Sequence, residues 1–168
     1  NNVWYMGTQN IGEGIFIHLQ PKDGDGNLVS SDTMFDPSDK DYMSWKEFHE
    51  EVSTIVERML ASKSFTPHER DQLESMKMKT EPLFIWWHSF AHQIIKELAI
   101  DSGFTTTALN ERIYCVKNNN GTYSAGILIY VATPGSDGTL GGLTSLVNEK
   151  IIREIIKNAE HHMLACSN

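Results

Sequence analysis

Between Pro82 and Gly103, apolar residues cover most of the circumference of a helix. Leu83, Phe84, Ile85, Trp86, Trp87, Phe90, Ala91, Ile94, Ile95, Leu98 and Ala99 leave one narrow polar stripe. That stripe holds His88, Ser89, His92, Gln93, Lys96 and Glu97. A helix apolar on so many sides is buried on several of them, so other elements must wrap around it. Gly103 has the place of a left-handed C-cap, with Phe104 set to pack back on the last turn.

The surrounding elements read as mixed α and β. Gly14-Ile15-Phe16-Ile17-His18-Leu19 has strand composition, and Pro21 to Asn27 a turn. Ser30 to Asp41 is polar, with four Asp and one Pro, and reads as a surface loop. Ser44-Trp45-Lys46-Glu47 has capping-box spacing. Trp45, Phe48, Val52, Ile55 and Met59 follow at three- and four-residue steps, which predicts an amphipathic helix with these residues inward. Thr66-Pro67-His68-Glu69 repeats the capping logic for a shorter helix ending near Met78. Arg112 to Val116 reads as a strand and Asn118 to Gly121 as a turn. Ala125 to Ala132 is continuously apolar, as a central strand buried on both faces would be. A glycine-rich loop from Pro134 to Gly142 leads to a last helix with Leu143, Val147, Ile151, Ile155 and Ala159 on its apolar face. The expected fold is α+β: a small sheet packed by a long buried helix and a C-terminal helix. Residues 1–81 form an N-terminal strand, loop and helical subregion, and residues 82–168 the domain core, in one compact domain.

At 168 residues the chain can bury a substantial core without disulfides or metal. Cys115 and Cys166 make no disulfide framework, which favours a reducing, cytoplasmic setting. No apolar run approaches the roughly 20 residues that span a bilayer. The opening Asn1-Asn2-Val3-Trp4 is no signal peptide, and a fragment of a larger protein is the simplest account. Net charge is −8, with 14 basic against 22 acidic residues. Proteins that grip phosphates carry basic surfaces, so strong direct binding to DNA or RNA is disfavoured.

His88 and His92 are the sharpest chemical feature. Their i, i+4 spacing places both imidazoles on one helical face, as a metal requires. The zinc-protease signature has its general-base Glu where this chain has Ser89, so metalloprotease chemistry is unsupported. Glu111 and Asp137 are the candidate third ligands. The blander expectation, and the favoured one, is two buried histidines hydrogen-bonded within the core. The glycine loop lacks the Gly-Lys-Ser/Thr ending of a phosphate-binding loop, and Asp137 puts negative charge where an anion would sit. Asp23 to Asn27 resembles a calcium loop only briefly, because Leu28 and Met34 stand where Gly and Glu are required. His162 and Cys166 share a helical face, but two ligands do not close a structural zinc site.

Three stretches together resemble a known family. They are His88-Ser89-Phe90-Ala91-His92; Ser102-Gly103-Phe104 through Leu109 to Tyr114; and Gly126 to Tyr130 through Asp137-Gly138-Thr139-Leu140-Gly141-Gly142-Leu143. In this order they are similar to the zinc-binding domain of MrfA-type helicases, found also in DrmB-like proteins of the DISARM antiphage system. The likeness covers roughly residues 82 to 168, and Glu13-Gly14-Ile15-Phe16 is similar to a segment upstream in DrmB-like proteins. The resemblance implies a non-catalytic accessory or scaffold module of a DNA repair or phage-defence protein. Its implied partner is a helicase domain or subunit, in cis or in trans, with DNA met indirectly and no membrane. In that family the last helix runs into a zinc-binding cysteine cluster, and Cys166 matches the first cysteine. Further ligands would lie past Asn168, so no cofactor is expected in this chain and zinc in its parent. The rival expectation is a metal-dependent hydrolase or nuclease-like enzyme using His88 and His92, with Glu111 or Asp137.

Overall fold

The computed structural model describes residues 12–19, 21–119, 122–131 and 142–165. Their element order is mixed: strand β1 (Glu13–Leu19), helices α1 (Lys40–Ser62), α2 (Pro67–Lys79) and α3 (Pro82–Ser102), strands β2 (Asn110–Lys117) and β3 (Tyr123–Val131), then helices α4 (Gly142–Ser145) and α5 (Glu149–Ala165). The strands form one small antiparallel sheet in the order β1-β3-β2. The fold is α+β, as expected, with the apolar strand β3 at the centre. Ala125, Gly126 and Ile127 are buried in succession, which only a strand covered on both faces allows.

Two compact units divide the chain. One takes in the described residues up to Phe16, then Phe90–Arg112, then those from Leu128 onward; the other takes in Ile17–Ser89 and Ile113–Ile127. Helix α3 and all three strands run continuously through both ranges.

In the first unit the core is built on the second half of α3. Ala91, Ile94 and Leu98 are wholly buried, and so are Ile129, Leu143 and Ala159. Gly103 adopts φ 76°, the left-handed cap its position predicted. Phe104 is buried behind it. A Cβ on Gly142 would lie 2.7 Å from the Phe104 ring, so only glycine lets this backbone come so near. Glu97 of α3 takes His162 Nδ1 at 3.2 Å and Asn158 Nδ2 at 3.2 Å, both from α5.

One expectation fails in this unit. The last helix is broken in two, and Val147 is 61% exposed rather than on an apolar face. Asn148 is the cause. Its carbonyl accepts from Ile152 N and its side chain from Lys150 N, which starts α5 afresh after a turn.

In the second unit α1 packs on α2, with Lys77 Nζ 2.7 Å from Glu57 Oε1. The capping box Thr66/Glu69 is formed in full, with Pro67 at the first helical position. The other capping box is not formed. Helix α1 starts at Lys40, because Asp39 Oδ1 accepts from Asp41 N and Tyr42 N, both at 2.9 Å. Ser44 lies inside the helix and bonds back to Lys40 O.

The face of α1 is also corrected. Trp45, Phe48, Ile55 and Met59 are 42–53% exposed, and Val56 is the buried residue of the helix. The side turned inward carries His49 and Ser53 beside Val56 and Leu60, and its polar members find hydrogen-bond partners there. Asp23 closes its own turn by accepting from Asp25 N and Asn27 N, which leaves no calcium-loop geometry.

Candidate functional site

Helix α3 fixes the spacing of His88 and His92, one turn apart on a single continuous element. Strand β2 supplies Glu111 as its second residue. His92 Nε2 stands 3.4 Å from Glu111 Oε1. The His88 ring stacks on Phe84, one turn earlier, with centroids 6.2 Å apart.

Of the four residues singled out for metal or acid–base chemistry, the structure pairs His92 with Glu111 inside one unit. Asp137, the fourth, lies outside the described residues, as does Cys166. The expectation that the two histidines are sealed in the core is wrong. Both are exposed, with the His92 side chain 55% accessible, while Glu111 is only 17% accessible. The polar stripe of α3 was legible. That it faces water was not, because an apolar helix of this kind can bury a narrow polar stripe as readily as expose it.

The zinc that the family resemblance implies needs thiolates. Among the described residues the cysteine is Cys115, which is buried, with its thiol pushed up to about 12 by burial and then by the negative charge of Glu81. A thiol so reluctant to ionise does not suit a thiolate ligand.

A second polar site, in the unit containing α1 and α2, has no counterpart in the sequence reading. His49 Nε2 lies 2.9 Å from Glu81 Oε2, with both side chains 16% accessible. His49 Nδ1 meets Thr80 Oγ1 at 2.9 Å, and Ser53 Oγ lies 3.3 Å from Nε2. The Thr80 hydroxyl donates its proton to Lys77 O, so His49 Nδ1 must be the donor to Thr80. Burial raises the Glu81 carboxyl above its ordinary value, against the opposing pull of His49. Burial, helped by the Glu81 charge, likewise lifts the Tyr123 hydroxyl to about 12. His49, Ser53, Glu81 and Tyr123 line a cavity of about 830 Å³ with Lys46, Lys117 and Cys115. His49 and Glu81 lie 32 positions apart by their numbers, and no local motif links them. The arrangement is not a nucleophilic triad, since Ser53 and Glu81 approach the same imidazole nitrogen.

No helix among the described residues is long and apolar enough to cross a membrane. No family model matches the chain, and no solved structure matches it. A curated protein does: the DISARM protein DrmB of Bacillus paralicheniformis is 37% identical over 86 residues, which is 51% of this chain. The match covers 14% of that relative, so the chain spans only a small part of its length. Over about half its residues, then, the chain is similar to the DISARM protein DrmB.

Proposed function

We propose that the chain is an accessory module of a DrmB-like protein in a DISARM-type phage-defence system, coupling or stabilising the assembly rather than performing its chemistry. The observation that carries this reading is the 37% identity over 86 residues to DrmB. A net charge of −8 supports the view that contact with DNA is made by partners. The partner we propose is a helicase domain or subunit acting in cis or in trans, in the cytoplasm.

Phage plating on cells carrying the complete defence locus tests this. Ile129→Asp, which puts a charge on a wholly buried position of β3, should abolish protection while the other system proteins are still made. A pull-down from the same cells should show the helicase component lost from the variant protein. Full protection by the variant, or an intact helicase association, would count against the reading.

A further inference from the structure

We propose that the outward face of α1 is a docking surface for an amphipathic helix of another protein, one that carries lysine or arginine beside its own apolar stripe. The inference goes beyond the defence-module reading and does not depend on it.

The apolar face is the first argument. Trp45, Phe48, Ile55 and Met59 share one side of α1 and are each about half exposed. From Trp45 to Met59 the stripe runs about 21 Å, the length of about four helical turns laid alongside it. Trp45 and Phe48 are set edge to face, with ring centroids 6.5 Å apart and planes at 81°. Rings already held against each other lose little freedom when a partner covers them, and aromatic anchors carry much of the binding energy at interfaces. Helices in proteins owe most of their stability to a packed apolar face. Helix α1 buries Val56 but keeps its most apolar side in water, where a second helix can cover it as a helix fills a groove.

Charge is the second argument, and it selects the occupant. Glu47, Glu50 and Glu51 line a groove of about 490 Å³ beside Ile55, and Thr54 completes it. No basic side chain among the described residues lines this groove. Arg58, two turns past Glu51, is outside it. One flank of the stripe therefore presents three carboxylates next to apolar surface. A helix with basic side chains beside an apolar face buries the one and neutralises the other. A second copy of this chain would bring the same three carboxylates, with a net charge of −8 on each molecule. The anionic headgroups of a phospholipid surface would be repelled in the same way.

Two synthetic helical peptides test this against the 168-residue chain. Both carry one leucine face, and they differ only in flanks of lysine or of glutamate. By fluorescence anisotropy the lysine peptide should bind saturably, one per chain. The glutamate peptide should bind at least about tenfold more weakly, since several exposed ion pairs each contribute a few-fold. Trp45→Ser, Phe48→Ser and Ile55→Ser keep the carboxylates. Each should weaken the lysine peptide by at least about tenfold, the cost of losing an interface anchor. Glu47→Gln combined with Glu51→Gln keeps the stripe, and should give weaker binding that depends less on salt. Circular dichroism confirms that each variant is folded, and should one fail, the others decide. Equal binding of the two peptides, or no saturable binding, would overturn the proposal. So would lysine-peptide binding as tight in the serine variants as in the parent, which is charge attraction alone. Binding of the stripe to phosphatidylglycerol vesicles, or a stable dimer of the chain held by the stripe in sedimentation, would assign the face to a different occupant and overturn it too.

Discussion

The Glu13 carboxylate accepts the backbone N–H of Leu143 at 3.1 Å, across 130 positions of sequence. Its other oxygen takes Thr144 N at 3.3 Å and Thr144 Oγ1 at 3.2 Å. One acidic side chain on β1 thus holds the first turn of α4, whose N–H groups have no partners within the helix. Two short motifs from opposite ends of the chain, Glu13-Gly14 and Gly142-Leu143, prove to be one structural joint. Glu13→Ala should lower stability by about 1–3 kcal/mol, the range for losing hydrogen bonds to a charged group. Glu13→Gln, which keeps an acceptor, should lose less. Urea unfolding of the three proteins measures this; an alanine variant as stable as the parent would show the joint to be idle.

His88→Ala and His92→Ala should leave stability within about 0.5 kcal/mol of the parent, because changes at exposed positions seldom do more. Thermal melts without added metal are the check. A drop of several degrees in either variant would return these residues to a structural role.

Cys115 should be nearly inert in the folded chain. A thiol pushed up to about 12 carries about a thousandth of the thiolate of an ordinary one at neutral pH. In a Cys166→Ser background, alkylation should be slow in buffer and fast in strong denaturant. Equal rates in the two conditions would mean that the strand around Cys115 opens freely.

The Glu81 carboxyl is raised from its ordinary value of 4.5, first by burial. A raised carboxyl favours the folded state below that value, and the advantage is lost as pH climbs through the raised one. Glu81→Gln removes the buried charge and can still donate to His49. Its stability relative to the parent should therefore rise between about pH 4 and pH 7, outside the range where Glu is neutral in both states. Urea melts of both proteins at the two pH values settle the sign, and a gap that stays constant or shrinks with pH contradicts it.

The parts of the fold that were legible share one property: their signals are local and repeat. The apolar circumference of α3, the unbroken run of β3, the Thr66 cap and the Gly103 cap each needed only neighbouring residues to be read. Helix α1 was misread because its most apolar side is not its inward side. The inward side includes His49, whose polarity is absorbed by Thr80 and Glu81 from beyond α1. No pattern within α1 carries that information. The break at Asn148 was hidden for a related reason, since Leu143 and Ile155 keep helical spacing across it. For the candidate site, the pairing of His88 with His92 follows from helix geometry alone. Glu111 was one of two candidate third ligands with no local pattern behind it, since its distance from His92 and the exposure of the imidazoles depend on how strand β2 is laid down.

The outward stripe of α1 sets what a survey of substitutions along that helix would record. Trp45, Phe48 and Ile55 should accept serine or lysine with little change in melting, while Val56, 3% exposed, should accept almost nothing larger or more polar. The rhythm of mutational tolerance would then run about a quarter turn out of phase with the rhythm of hydrophobicity. Replacing the stripe should also yield a chain that stays in solution at higher concentration, because oily surface of this kind drives molecules together.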